Sequence, residues 1–468
     1  MKNKYLFSFK IVSKESSPDT IVLGLVKMDK FYPDKQKKNL PKDRPLVWSE
    51  GEKDVLAMKD NNSFDIAVIG GGPAGMMAAD RAAELGAKVV LIEKNETLGK
   101  KLLITGKGRC NFTHNEFDIK KFAEKFGRNG RFLYSALALF VAREVIDFFE
   151  SRGVKGKVEQ GDRVFPEKGN TQDILNTLVK YLAEGKVSIL FNSEVIGFKQ
   201  EKGKISQVLL QDRQISADKY IICVGGKAYP QTGSTGDGYQ WVEQLGHTVI
   251  PPVPALNPVK TSEKWVKELQ DLSLKNVSLK LFQNGKKQDE RFGEMLFTHF
   301  GVSGPIVMDM SKNIGALLKN GPVKLILDLK PALDFKKLDK RIQRDFQEFR
   351  GRIFKNSLKG LLPLSMIPVI IKLSGIEPEK KVDYISREER NKLVHLLKEL
   401  ELTPTGLLGF KWSIVTSGGV ALKEVNPNTM GSKKIENLYF AGEILDLDGP
   451  SGGYNLQECW STGYLAGQ

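Results

Sequence analysis

Three glycines at the spacing G-x-G-x-x-G, Gly70, Gly72 and Gly75, stand directly behind the apolar run Ile66-Ala67-Val68-Ile69. The chemistry of such a place is the holding of phosphates. The first glycine permits a tight turn, the second lets backbone approach a pyrophosphate, and the third lets a helix pack on the preceding strand. A helix over residues 74–85 would aim its unpaired N–H groups and positive dipole end at the anion. Val89-Val90-Leu91-Ile92 predicts a second strand, closed by Glu93, where an acid can bind ribose hydroxyls. A lone glycine pattern is weak evidence. Strand, turn, helix, strand and acid in one run predict a dinucleotide site. An acid at position 93 favours an unphosphorylated ribose, so FAD or NAD over NADP.

The rest of the chain has to position that unit. Residues 1–62 are Lys-rich, broken by Pro33, Pro41 and Pro45, and apolar only around Ile21–Val26. They predict either a weakly ordered extension or a translation start at Met58. Helical patterns follow at residues 120–125, 135–151 and 171–183. Short strands with a hairpin turn at Lys202-Gly203-Lys204 fill 185–224, where Tyr220–Val224 is a buried strand ending in Gly225-Gly226. Pro251, Pro252, Pro254 and Pro258 mark a domain exit. Residues 260–330 look strand-rich, 338–358 and 387–400 helical. The chain returns at Phe410 with a strand, forms a last buried strand at Leu438–Ala441, and ends in a helix beginning near Asn455.

Composition narrows the class. The 468 residues predict two to four domains. No apolar run approaches the ~18–20 residues that span a bilayer, and the first residues lack the core and cleavage site of a signal peptide. Cys110, Cys223 and Cys459 are odd in number and scattered. That argues against a disulfide scaffold and a zinc site, and favours the reducing cytoplasm. The net charge is +15; residues 255–410 hold 28 Lys and Arg against 19 Asp and Glu. Those charges are interleaved, as in Arg387-Glu388-Glu389-Arg390, which looks like a solvated helix face rather than a phosphate-binding stripe. A nucleic-acid partner is therefore not expected, nor is a membrane.

Four blocks carry a resemblance. Residues 98–113 read LGKKLLITGKGRCNFT, 220–239 read YIICVGGKAYPQTGSTGDGY, and 297–305 read FTHFGVSGP. The last holds TSGGV at 416–420 and LYFAGEILDLDGPSGGYNLQ at 438–457. In order and length the chain resembles the aminoacetone oxidase-like, BaiN-like bacterial flavoproteins, which are NAD(P)- and FAD-dependent oxidoreductases. The resemblance runs from about Phe64 to the C-terminus and leaves the extension uncovered. It departs at His114, where the family usually has Asn, and at Gly431, where it usually has an acid.

The resemblance implies an α/β fold: a Rossmann-type FAD-binding domain of the glutathione-reductase-like two-layer ββα kind. This domain would use residues 63–254 and 406–468, interrupted by an inserted strand-plus-helix cap at 255–405. It implies FAD held at one end by Gly70, Gly72, Pro73, Ala74, Gly75, Glu93 and Lys94, with Val195 and Gly225-Gly226 passing close by. Lys101, Gly106, Arg109, Cys110 and Asn111 would serve the isoalloxazine end, together with Gly442, Glu443, Gly453, Tyr454, Asn455 and Leu456. Glu443 would face the ribityl chain, and the helix opened by Gly453 would stabilise charge on the reduced ring. Arg109 is also read as a structural ion pair, Cys110 as a small buried filler, and Gly452-Gly453 as a tight turn.

No second G-x-G-x-x-G follows a strand, so NAD(P)H would dock transiently, or oxygen would take the electrons. The expected substrate is a small molecule. His299 is the acid/base candidate by residue type, though a lone histidine also reads as structural. Two rival classes remain: a tRNA-modifying flavoprotein, and a flavin-containing binding or electron-relay module.

Overall fold

The computed structural model describes residues 9–12, 22–25 and 63–468. The expectations for the extension fall outside these residues, apart from one antiparallel pair, Phe9–Val12 with Val22–Leu25. Residues 63–468 belong to one compact unit.

At its centre lies a parallel sheet in the order Ser188–Leu190, Val89–Ile92, Ser63–Ile69, Gln214–Ile222, Leu438–Phe440. Val89–Ile92 is buried at all four positions, as expected of a strand covered on both faces. The register sets Ile69 beside Ile92 on one side and Ile222 on the other, so three strand ends reach one edge together. The first half of Gln214–Ile222 also pairs antiparallel with Lys204–Leu210, which continues into Val195–Glu201. Lys202 and Gly203 turn that hairpin with φ of 51° and 78°. The helix Pro73–Glu84 buries Ala74, Ala78, Ala79 and Ala82 and crosses the C-terminal helix Tyr454–Ala466 at backbone contact. A Cβ at Gly463 would collide with Ala74 O, and one at Gly467 would stand 2.5 Å from Ala78 O.

The insert is an antiparallel seven-stranded sheet. Its order is Leu400–Leu402, Lys324–Asp328, Ser273–Gln283, Lys286–Thr298, Gly301–Ser303, Val259–Thr261, Pro404–Leu407. It has its own apolar core, including Leu279, Leu281, Phe297, Leu325, Met366 and Leu397. Val249–Ala255 and Val415–Val420 pair antiparallel as the two connecting strands.

Several elements differ from expectation. Residues 135–151 form two helices, Tyr134–Leu139 and Ala142–Ser151. Phe140 breaks them at φ −150°, and its carbonyl turns away to accept from Gln457 Nε2 and Ser461 Oγ. Residues 338–358 divide into Phe335–Glu348 and Phe354–Ser357 around Gly351 at φ +77°. Within the strand-rich stretch, Pro305–Leu318 is a helix. Pro305 suits the first helical position, and Ile306, Val307, Met310 and Ile314 bury at helical spacing. The proline-rich exit is a strand after all: a register shift between Ile250 and Val253 carries Pro251 and Pro252 out of the ladder.

Candidate functional site

The three glycines of the first turn meet three different demands. Gly70 has φ +103°, and a Cβ there would lie 2.6 Å from Cys223 O. A Cβ at Gly75 would collide with Gly70 O. Gly72 is the opposite case, with nothing within 4 Å of an added Cβ, so this residue faces open space. It caps Pro73–Glu84, whose first backbone bond runs from Met76 N to Gly72 O at 2.9 Å. The N–H groups of Ala74 and Gly75 precede any carbonyl of the helix that could accept them. Proline at the first position loses no bond there.

That open face looks into a cleft of about 900 Å³, open solvent included. The cleft brings together Gly70, Gly72, Pro73, Ala74, Glu93, Lys94, Lys101, Val195, Gly225, Gly442 and Glu443 from the sequence-derived candidates. Glu93 is buried. Its Oε2 accepts from Gly71 N at 2.7 Å, and its Oε1 from Asn95 N at 2.8 Å and Asn95 Nδ2 at 2.6 Å. The acid thus ties the second strand's end to the glycine turn. Lys94 reaches across to the opposite wall, 2.7 Å from Asp237 Oδ2 and 2.7 Å from Thr235 Oγ1. Burial opposes ionisation of Asp237, but hydrogen bonds from Lys94 and Thr235 outweigh it and hold the carboxyl below the usual range.

At the other end, Lys101 Nζ lies 2.6 Å from Glu443 Oε2. Glu443 Oε1 accepts from Thr416 N at 2.7 Å, and Thr416 Oγ1 accepts from Lys227 N and Ala228 N. A Cβ at Gly226 would stand 3.0 Å from Glu443 Oε1, so this glycine admits the acid. Gly225 and Gly442 both sit at positive φ, +72° and +76°.

The remaining candidates do not line this cleft. Gly106 and Cys110 have φ +56° and +58° in a loop after the short helix Lys100–Leu103. Burial pushes the Cys110 thiol up to about 12, which suits a filler. Arg109 is 57% exposed, pairs with Glu159 and lies over the Phe165 ring at 4.3 Å. That is the arrangement of its ion-pair alternative. Asn111 Oδ1 is buried with no hydrogen-bond partner. Tyr454 is buried and stacks on His114 at 4.3 Å between centroids. His114 Nδ1 lies 3.0 Å from Gly452 O. Gly453, at φ +100°, caps Tyr454–Ala466. Asn455 brackets Gly449 through both amide atoms, at 2.8 and 3.0 Å. Leu456 is partly buried on the same helix. His299 is exposed beside Phe300.

Asn95, Thr232, Thr235 and Trp241, absent from the sequence-derived candidates, also line the cleft, as does Asp237 of the glycine-rich loop at 233–238. The block STGDGY contained the signal for Thr235 and Asp237. Glu458 lies just behind. It is buried, one oxygen lacks a partner, and burial raises its pKa to about 8. The insert reaches the same region through Asp309, which accepts from Ser451 N at 2.8 Å, and Lys312, 2.7 Å from Asp448.

Two glycine-lined ends joined by an open cleft, with an unpartnered amide oxygen in the neighbouring loop, fit an extended dinucleotide. Among the described residues no helix is long and apolar enough to cross a membrane. A family model described as HI0933-like protein Rossmann domain matches residues 64–468. A 3-dehydro-bile acid delta(4,6)-reductase of Clostridium scindens is 32% identical over 86% of this chain and 98% of its own length. Ribosomal RNA dihydrouridine synthases are similar too. The Escherichia coli protein is 30% identical over 86% of this chain and 97% of its own, and the Haemophilus influenzae protein 32% over 85% and 96%. The chain therefore belongs to the HI0933-like family and is an FAD-dependent oxidoreductase built on a Rossmann domain.

Proposed function

We propose that the protein is a reductase that saturates a carbon–carbon double bond conjugated with a carbonyl group in a small molecule. FAD is its bound cofactor, and NADH or NADPH its electron donor. The observation that carries this reading is the match to relatives over nearly their whole length whose names share one kind of change. A delta(4,6)-reductase and a dihydrouridine synthase both saturate such bonds.

FAD, when bound, supplies a ring that takes up and gives back a hydride. The residues of the chain bind and orient it. Gly72 and the N-terminus of Pro73–Glu84 would receive the pyrophosphate. Glu93, already braced by Gly71 and Asn95, would accept from ribose hydroxyls. The Lys101–Glu443 pair stands where the chain between the two ends must pass. Asn111 and the helix opened by Gly453 would serve the ring end. All three cysteines are free, and two are buried, so no protein disulfide stands in the electron path.

The test is anaerobic. The holoenzyme is mixed with NADH or NADPH and its flavin absorbance followed. A cyclic enone is then added, and finally air. Bleaching by a nicotinamide and recovery with the enone before air are expected. Recovery only in air would make the protein an oxidase and overturn the reading.

A second reading is favoured by the ribosomal RNA relatives. Uracil also carries a double bond conjugated with a carbonyl, so the chemistry is unchanged and the substrate becomes a uridine in RNA. Mass spectrometry of ribosomal RNA from cells lacking the gene decides it. Loss of a dihydrouridine supports this reading, and an unchanged dihydrouridine content rejects it.

A further inference from the structure

Lys94 stands immediately beyond Glu93, on the wall of the cleft that ends the second strand. Its partners Thr235 and Asp237 come from the opposite wall. The contact therefore joins two lining segments that follow the strands on either side of Ser63–Ile69. Asn95 makes a second tie to the same loop, donating to Thr232 O at 3.3 Å. It also fits tightly against Gly233, where a Cβ would stand 2.6 Å from Asn95 Nδ2.

The far wall is preset for this contact. Gly233 and Gly236 hold φ of +103° and +89°, a conformation that side-chain-bearing residues rarely adopt. Asp237 opens the helix Asp237–Gln244, where a carboxylate is favoured by the helix dipole. Thr235 Oγ1 donates to the same Asp237 oxygen at 2.5 Å, fixing its rotamer. Lys94 is the mobile partner, with a long chain that is only partly buried: the two side chains are 28% and 39% exposed. An ion pair this open is weak and screened by salt, so it can open on the timescale of ligand exchange.

We propose that Lys94, Thr235 and Asp237 form a latch over the adenosine half of the cleft and govern how fast FAD leaves it. The inference rests on the reading of this cleft as the FAD site. An extended dinucleotide lying against Gly72 and Glu93 passes beneath the Lys94–Asp237 contact, so release requires that contact to break. The latch positions and retains the cofactor and takes no part in hydride transfer.

The test follows FAD release from diluted holoenzyme by the rise in free-flavin fluorescence, at low and high salt. Lys94→Met and Asp237→Asn should each release FAD roughly five- to tenfold faster, the range for a half-exposed ion pair with its neighbouring hydrogen bond. Wild-type release should accelerate with salt, while release from the single variants should not. The charge exchange Lys94→Asp with Asp237→Lys should recover part of the slow rate, which a merely structural role would not do. Wild-type release rates and salt dependence in both single variants would overturn the latch. Gly72→Val separates this from the underlying reading. If that variant loses FAD while Lys94→Met keeps it, only the latch fails. If Gly72→Val retains FAD as wild type does, the cleft is not the cofactor site, and both fail.

Discussion

Asp80 sits in the middle of the helix Pro73–Glu84, 1% exposed, and neither carboxylate oxygen has a hydrogen-bond partner. Burial raises its pKa from 3.8 to about 9; Arg152 pulls it down, while Glu184 and Glu84 push it further up. The folded protein thus keeps a proton that the unfolded chain loses. With the folded value above the unfolded one, the contribution to stability is fully present below pH ~3.8 and is lost as pH rises through about 9. At pH 7 that loss amounts to about 4 kcal/mol, from roughly three pH units at 1.36 kcal/mol each. Asp80→Asn keeps the shape and removes the titration, while the unpaired amide costs about what the unpaired neutral acid does. The variant should be more stable than wild type at pH 7 by about 2–4 kcal/mol. The assay is urea unfolding of both proteins, with FAD in fixed excess, between pH 5 and pH 8. The stability difference should widen by about 1.4 kcal/mol per pH unit. A difference independent of pH would show that Asp80 is not held neutral, and the reasoning from its burial would be wrong.

Glu93→Ala removes the acceptor of Gly71 N and Asn95 N, charge-assisted bonds of about 1.5–3 kcal/mol each. FAD content after dialysis should fall sharply, and full occupancy would deny Glu93 its role. Arg109→Ala loses an exposed pair to Glu159 and a ring contact with Phe165, so stability should drop by about 1 kcal/mol or less. The flavin spectrum should stay as it is, and a displaced spectrum would place Arg109 at the ring. Gly463→Ala puts a methyl group into Ala74 O, an overpacking cost of about 1–3 kcal/mol. The melting temperature should fall and FAD release should quicken together, because the displaced helix carries both Gly442's neighbour Cys459 and the end capped by Gly453.

Much of the Rossmann half was legible because its determinants are local. Strand, glycine turn, helix, strand and acid lie within residues 63–93, and Gly70 and Gly75 answer to the adjoining strand and to the turn itself. The insert was less legible. Pro305–Leu318 follows two strands and begins Pro-Ile-Val, so its apolar residues resemble a buried strand until Met310 and Ile314 are seen on one helical face. The strand Val249–Ala255 hid behind its prolines because a bulge, which no propensity encodes, takes them out of the ladder.

Side-chain partnerships across long separations were the least legible of all. Lys94 is 143 residues from Asp237, Lys101 is 342 from Glu443, and Thr113 is 344 from Gln457. Residue type shows that each can pair, but the partner is chosen only when distant strands come into register. Arg109 illustrates this best. In the sequence it is a cation near a phosphate motif, and nothing local separates a cofactor contact from an ion pair. The choice is made by the hairpin of Gly156–Glu159 and Arg163–Pro166, which brings an acid and a phenyl ring to its guanidinium. The same hairpin pairs with Thr113–His114, and that short strand abuts the turn at Gly452-Gly453. Arg109 is therefore held by an acid and a ring that no neighbour in sequence specifies, and its partners are chosen by the register of that hairpin.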